Sequence, residues 1–431
     1  MSDFHTFYMS THGCKINQYE TQALREVWTR RGLREVQSAA DAAVVLVNSC
    51  AVTAKAVSEL RNVVRQANRA NPQARIIITG CAAQVMGKEL ASLPGVVEVV
   101  PQEEKASLKN WPRKPEEGGD VQAFPAFSIS SYNRARAVVK VQDGCSHRCT
   151  YCIVPLTRGR SRSRAIADIV SESRSLLEAG FREIILSGVN LRQFGKDLPY
   201  TPDFWDLVST LESSLGPDWA GEARFRLSSL EPGQLDARAL ETLGASRLVA
   251  PQLHISMQSG SDSVLKRMGR GHYKVTPLLE FLEQLRSVWP VYGLGADILM
   301  GFPGETEEEF AQTVEAVKAM PLTYAHVFPY SRRPGTAASV MPDQLDKQIK
   351  AGRAKVVREI VAAKKTAFLQ WLVDSATQLD VVLQSGQTRS GISQFYTECH
   401  FPLLPFGAGQ RDIVRGVATA VRKRGLVVRP L

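Results

Sequence analysis

Three widely spaced cysteines constrain this chain more than any other feature. Cys14, Cys50 and Cys81, separated by 36 and 31 residues, stand in Thr-His-Gly-Cys, Val-Asn-Ser-Cys and Ile-Thr-Gly-Cys. Each comes just after a short apolar run, His5 to Met9, Val44 to Val47 and Ile76 to Ile78. Between the runs, Leu24, Val27 and Trp28 show the i, i+3, i+4 spacing of a helix face. Strand, turn and helix in repetition predict an α/β domain with a mostly parallel sheet. In such a sheet the strand C-termini share one edge, where ligands bind, so the three cysteines should converge there on a metal or cluster. Cysteines placed for packing alone would favour strand interiors.

At ~150 residues per domain, 431 residues suggest roughly three domains. Pro101, Pro112, Pro115, Pro125, Gly118 and Gly119 break all periodicity and predict an interdomain linker. Beyond it six apolar strands, about 136 to 142, 183 to 187, 224 to 230, 252 to 258, 294 to 299 and 324 to 329, alternate with helical stretches such as Ile166 to Ala179, Phe204 to Leu215, Pro277 to Val288 and Glu305 to Met320. This predicts a partial (βα)6 barrel whose chemistry sits on loops at the C-terminal ends of its strands. A long helix over Asp343 to Leu372 leads to alternating segments at Leu379 to Leu383, Gln394 to Phe401 and Ile413 to Val421, the pattern of a small antiparallel β-barrel.

A second cysteine group, Cys145-x3-Cys149-x2-Cys152, follows the first barrel strand. Three thiolates on one loop can hold three irons of a 4Fe-4S cube and leave the fourth open to an external chelator. Structural zinc normally takes four ligands; His147, wedged inside the same tight loop, is expected to point outward rather than complete such a set. The odd total of seven cysteines argues against a disulfide framework, and Cys399, standing alone, reads as a small core residue. With no apolar run of ~18 residues and no signal-like start, a cytoplasmic location without membrane contact is expected. A formal charge of +10 suits an RNA partner.

The compact motif after the first strand of a βα barrel resembles the radical S-adenosylmethionine superfamily. Over nearly the whole chain the resemblance is to the methylthiotransferases. It is carried by Gly13-Cys14-Lys15-Ile16-Asn17-Gln18-Tyr19-Glu20-Thr21, Asn48-Ser49-Cys50-Ala51-Val52-Thr53, Thr79-Gly80-Cys81, Pro155-Leu156-Thr157-Arg158-Gly159, Gln258-Ser259-Gly260-Ser261 and Gly301-Phe302-Pro303-Gly304-Glu305-Thr306. The family implies an N-terminal methylthiotransferase domain (1–115), a radical barrel (131–365) and a TRAM-like RNA-binding β-barrel (369–431). It implies two 4Fe-4S clusters, an auxiliary one on Cys14, Cys50 and Cys81 and a radical one on Cys145, Cys149 and Cys152, the latter chelated by S-adenosyl-L-methionine. It also implies an external electron donor, and as substrate a tRNA anticodon loop rather than DNA. The C2 carbon of adenosine offers no useful acidity, so a radical route is physically reasonable, and the resemblance implies a 5′-deoxyadenosyl radical.

Ser187 and Gly188, Ser229 and Glu231, and Gln258 and Ser259 end the second, third and fourth barrel strands and are expected to face the bound cofactor; each could equally be a turn or capping residue. Gly301-Phe302-Pro303-Gly304 lacks the Lys-Ser/Thr of a nucleotide-binding loop. Arg158, Arg160, Arg162 and Arg164, at every second position, would share one side of an extended segment and contact RNA. In the last segment Arg422, Lys423 and Arg424 are the basic candidates, with Phe395 and Tyr396 as stacking aromatics of which one should face the core. Ile16-Asn17-Gln18-Tyr19-Glu20-Thr21, Val52-Thr53 and His326-Val327-Phe328-Pro329-Tyr330-Ser331 look most like the branch acting on N6-threonylcarbamoyladenosine. An arginine or lysine near the barrel mouth is then expected to pair the threonyl carboxylate. The rival readings are the branch acting on N6-isopentenyladenosine, the branch acting on a ribosomal protein, and a non-catalytic iron-sulfur RNA-binding or electron-transfer protein.

Overall fold

The computed structural model describes residues 5–111, 124, 127–385, 389–423 and 425–431. The chain divides into two compact units, residues 1–131, 140–147 and 152–164 in the first and residues 132–139, 148–151 and 165–431 in the second.

In the first unit a five-stranded sheet runs Arg34–Glu35, Thr6–Thr11, Val44–Ser49, Arg75–Gly80, Val96–Val100, every pair parallel. Val44–Ser49 is buried at all six positions, as a central parallel strand covered on both faces must be. The helix Lys15–Arg30 buries Ile16, Tyr19, Glu20, Ala23, Leu24 and Trp28, the 3.6-residue stripe that faces a sheet. Glu20 is out of place in that stripe. Register aligns the strand ends: Thr11 lies opposite Asn48, Asn48 opposite Thr79, and Ser49 opposite Gly80. Cys14, Cys50 and Cys81 therefore leave the sheet at one edge, as the strand pattern predicts.

In the second unit the six predicted barrel strands are present as Ala137–Lys140 (whose last residue belongs to the first unit), Glu183–Ser187, Arg224–Leu227, Gln252–Gln258, Gly293–Met300 and Tyr324–Pro329. They pair as two three-stranded sheets, the first with Glu183–Ser187 at its centre and the second with Gly293–Met300 at its centre. Single bridges, Phe225 with Val249 and Leu230 with Ile255, join the third strand to the fourth. The helix Lys347–Asp374 then leads into a closed five-stranded barrel. Its core is Leu379, Val381, Leu383, Phe395, Cys399, Phe401, Val414, Ala418, Leu426 and Val428, with Leu369 and Leu372 from the helix.

Two expectations about this small barrel are corrected. It is not wholly antiparallel, because Glu398–His400 pairs in parallel with Gly425–Pro430 to close it. Nor does Gln394 to Phe401 run as one strand: Ser390–Ser393 ends in a turn, with the Tyr396 N–H donating to Ser393 O at 3.0 Å and Tyr396 in the left-handed region at φ 64°. Phe395 fills the small barrel's core, whereas Tyr396 packs on Tyr324 with ring centroids 5.2 Å apart and lies under the Arg226 guanidinium at 5.1 Å. Neither aromatic is a free stacking platform for a base.

The small barrel docks on the N-terminal ends of the large barrel's strands. Arg224, which opens the third strand, donates to Asp380 O at 2.7 Å and Ile392 O at 2.9 Å. Arg226 donates to Ser393 O at 3.0 Å and Gln394 O at 3.2 Å. Both arginines are held by Glu183, at 2.7 Å and 2.8 Å, inside a buried contact. Burial raises the Glu183 pKa, but Arg226, Arg224 and Arg136 outweigh it and keep the carboxyl well below the usual carboxylate range.

Candidate functional site

On the sheet edge of the first unit, Cys14 is exposed at the start of its helix, whereas Cys50 and Cys81 are buried. Two glycines in the left-handed region allow the close approach. A Cβ on Gly13 would sit 2.7 Å from the Cys50 Cβ, and one on Gly80 would sit 2.3 Å from Ser49 O. Burial, with the neighbouring Cys81 and Cys14 sulfurs adding to it, pushes the Cys50 thiol up to about 11 against the Val52 N–H that donates to it. Burial is the larger cause, and the smaller charge effects of Cys81 and Cys14 place their sulfurs in the neighbourhood of Cys50.

The second cysteine loop is pinned at both ends. Gly144, at φ 68°, has Arg160 O where a Cβ would stand 1.9 Å away, and the Cys145 N–H donates to Gly159 O at 3.0 Å. Farther along, the Thr150 N–H donates to Met268 O at 3.0 Å, and its hydroxyl to Arg267 O at 3.0 Å. Cys145, Cys149 and Cys152 are all half-buried. Arg270 reaches Cys149 Sγ at 3.7 Å and Glu231 at 3.3 Å, and donates to Ser256 O at 3.1 Å. Burial works against the Arg270 charge, but Tyr151, Tyr273, Glu231 and Cys149 more than offset it, so the guanidinium remains cationic beside the sulfur.

Of the residues expected to face a cofactor, Glu231 lies in this cluster, buried, with Asn190 Nδ2 donating to it at 3.2 Å and His272 on the same carboxylate. Ser187 is buried, whereas Gly188 and Gln258 are half-buried at the strand ends, with Gln258 at φ 65°. Ser229 Oγ donates to Asp297 Oδ2 at 3.2 Å. Ser259 takes the turn-residue alternative. It is 1% exposed, its hydroxyl meets Thr313 Oγ1 at 3.3 Å and accepts from the Ser261 N–H, and so it fastens a loop.

Between the fourth, fifth and sixth strands, half-buried His254 and Asp297 and exposed His326 bring their polar atoms within 4.8 Å of one another. His254 Nε2 is 3.1 Å from Asp297 Oδ1, and its Nδ1 is 3.0 Å from the Tyr324 hydroxyl. Burial raises the Asp297 pKa; hydrogen bonding and charge from His254, the charge of His326 and the Ser229 hydroxyl together lower it. This layer and Arg270 were missed at the level of sequence. Arg270 stands in Met268-Gly269-Arg270-Gly271-His272, a glycine-rich loop after the short helix Asp262–Arg267 that follows the fourth barrel strand, and those glycines were the available signal.

The arginine run is not one extended face. Val154–Arg158 is a short helix, and Arg162–Ser163 pairs with Gln142–Asp143. Arg158 is buried among Asn17, Glu20 and Asp143, and Arg164 is buried with its guanidinium 3.3 Å from the Tyr19 hydroxyl. Arg160 is exposed and Arg162 half-buried. In the small barrel Arg422 and Lys423 are exposed, while Arg424 lies outside the described residues.

Residues 6–101 match the family model "Uncharacterized protein family UPF0004", and residues 139–317 match "Radical SAM superfamily". A threonylcarbamoyladenosine tRNA methylthiotransferase MtaB of Rickettsia prowazekii is 37% identical over 355 residues, covering 81% of each chain. The protein of that name from Bacillus subtilis is 35% identical, covering 81% of this chain and 78% of its own. The chain belongs to the radical S-adenosylmethionine methylthiotransferases. A tRNA-2-methylthio-N(6)-dimethylallyladenosine synthase of Carboxydothermus hydrogenoformans, 29% identical with 95% and 94% covered, is a more distant member. The fold of this methylthiotransferase is shared with the radical S-adenosylmethionine methyltransferase TsrM of Kitasatospora setae, at a TM-score of 0.58 and 15% identity over 78% and 75% of the chains. Enzymes of the family use S-adenosylmethionine and 4Fe-4S clusters, and the donors here fit: seven cysteines outside any disulfide, six of them in two sets of three. No helix among the described residues is long and apolar enough to cross a membrane.

Proposed function

We propose that this enzyme installs a methylthio group at C2 of N6-threonylcarbamoyladenosine beside the anticodon of tRNA. The observation that carries the reading is the ranking of relatives. Five proteins named for threonylcarbamoyladenosine are 32 to 37% identical to this chain, against 29 to 31% for three named for dimethylallyladenosine. The polar layer of His254, Asp297 and His326 supports it. A threonylcarbamoyl group offers a carboxylate, a hydroxyl and an amide that can hydrogen-bond to such a layer, whereas an apolar isopentenyl group offers it nothing.

In this reading Cys145, Cys149 and Cys152 would hold the radical cluster, and Cys14, Cys50 and Cys81 the auxiliary one. When bound, the clusters and S-adenosylmethionine supply the radical, the methyl group and the sulfur. Arg270 reaches the Cys149 sulfur and ties the cysteine loop to the fourth strand, while Glu231 fixes Arg270, Asn190 and His272 around the mouth. Purified enzyme should methylthiolate tRNA carrying threonylcarbamoyladenosine and leave isopentenyladenosine tRNA nearly untouched, read by nucleoside mass spectrometry. Asp297→Asn should lower kcat/KM on the first tRNA roughly tenfold or more, since it weakens a charged hydrogen-bond acceptor. The reverse tRNA preference would move the enzyme to the isopentenyladenosine branch.

The small barrel is proposed as the TRAM-like RNA-binding element, with Arg422 and Lys423 as phosphate partners. Deleting it would uncover Arg224, Arg226 and Tyr324, so point variants give the cleaner test. Arg422→Ala with Lys423→Ala should flatten the slope of log affinity against log salt by roughly 0.7 to 0.9 for each phosphate that is no longer neutralised. An unchanged slope would transfer the phosphate-binding role to Arg160 and Arg162. An external electron donor and a cytoplasmic setting belong to the same proposal.

A further inference from the structure

Glu20, out of place on its helix stripe, is the centre of a buried ionic network. Its carboxylate lies 2.6 Å from Lys105 Nζ, 2.7 Å from Lys140 Nζ and 3.0 Å from the Arg158 guanidinium. Asp143 adds 2.6 Å to Lys140 and 2.8 Å to Arg158. All five side chains are at most 2% exposed. Three cations meet two carboxylates, so the network holds one positive charge in excess inside the first unit.

Such an excess is costly unless a negative group lies close by. The hydrogen bonds of the network point to one. Arg158 donates to Asn17 Oδ1 at 2.6 Å, and that oxygen is 3.9 Å from Cys14 Sγ. Asn17 Nδ2 in turn donates at 2.9 Å to His12 O and to Ser49 O, in the segments that precede Cys14 and Cys50. Lys105 donates at 3.0 Å to Asn48 Oδ1, the atom that a Cβ on Gly80, the neighbour of Cys81, would meet at 2.7 Å. The network thus touches the approach to each of the three cysteines.

We infer that Glu20, Lys105, Lys140, Asp143 and Arg158 form an outer shell that sets one net positive charge against the Cys14, Cys50 and Cys81 centre and thereby fixes its reduction potential. The inference rests on the reading of those cysteines as cluster ligands. A cluster held by three thiolates is anionic, and net charge and hydrogen bonding near the sulfurs are the levers that place its potential. These five are positioning residues: they hold a field and touch no substrate.

The test uses the full chain carrying Cys145→Ala, Cys149→Ala and Cys152→Ala, so that one cluster remains, reconstituted anaerobically and titrated by electron paramagnetic resonance. Arg158→Gln removes a cation and should shift the midpoint to lower potential; Glu20→Gln removes an anion and should shift it higher. Arg158→Lys and Glu20→Asp keep each charge and should stay near the parent value. A merely structural role would move both glutamine variants the same way or leave the midpoint fixed, and either result overturns the inference. If a glutamine variant loses its iron, the charge-keeping variant at that position must retain iron and potential; loss there too is equally fatal. Absence of iron from the parent protein would instead overturn the cluster reading on which the inference stands.

Discussion

Anaerobically reconstituted enzyme should bind roughly eight irons per chain, the content of two four-iron clusters. Replacing Cys145, Cys149 and Cys152 together by alanine should leave about half and abolish release of 5′-deoxyadenosine. Replacing Cys14, Cys50 and Cys81 should also leave about half, with 5′-deoxyadenosine release retained. The asymmetry follows from placement. The compact loop is half-buried, with a guanidinium at Cys149, whereas the wide set stands on the edge of a separate parallel sheet. On the proposed reading, removing the wide set would also remove the anionic centre set against Arg158 and Lys105, so the first unit should become less stable as well as poorer in iron. Full iron in the second triple variant would show that those cysteines serve packing.

Much of this arrangement was legible because apolar runs and turn residues act locally. The strand-then-cysteine repeats announced a parallel sheet whose aligned ends the register of Thr11, Asn48 and Thr79 supplies. The six barrel strands were legible for the same reason. What escaped was charge. Arg224 and Arg226, two apart on a strand read only as apolar, carried no sign in sequence of being buried, yet both are, because the Glu183 carboxylate and four carbonyls of the small barrel meet them. Arg158 looked like an RNA-binding residue for the same reason, and its partners Asn17, Glu20 and Asp143 are remote in sequence. Period-based reading assigns a charged residue to water by default. It has no means of seeing a counter-charge supplied by another segment. The strand Val96–Val100 was missed in a related way, because Glu98 interrupts a short run at the sheet edge.

The interface between the two barrels gives the other large expected effect. Glu183 is fully buried and faces three guanidiniums, Arg224 at 2.7 Å, Arg226 at 2.8 Å and Arg136 at 3.3 Å. In Glu183→Gln, cations buried with one carboxylate would be buried with none, a change that costs ~3 to 5 kcal/mol. For a unit of this size the melting temperature should fall by roughly 6 to 10 °C. The pH dependence has a definite sign. A carboxyl held below its unfolded pKa contributes stability that is present above the unfolded value, near 4.5, and lost as pH falls toward the folded one. Acid should therefore weaken the wild-type interface below about pH 5 and change the glutamine variant much less. With the small barrel as the proposed RNA-binding element, this interface also bears on how RNA is held. The small barrel sits at the N-terminal ends of strands whose longest, Gly293–Met300, spans roughly 26 Å, while Cys149 lies with Arg270 beyond the other ends. On that proposal, a tRNA gripped by the small barrel must reach past the length of the large barrel to place its adenosine. Limited proteolysis alongside tRNA binding can separate the two roles: Glu183→Gln should free the segment after Lys347–Asp374 for cleavage and weaken tRNA binding together. A variant that melts at the wild-type temperature and resists protease would show that Arg224 and Arg226 hold the small barrel through its carbonyls alone.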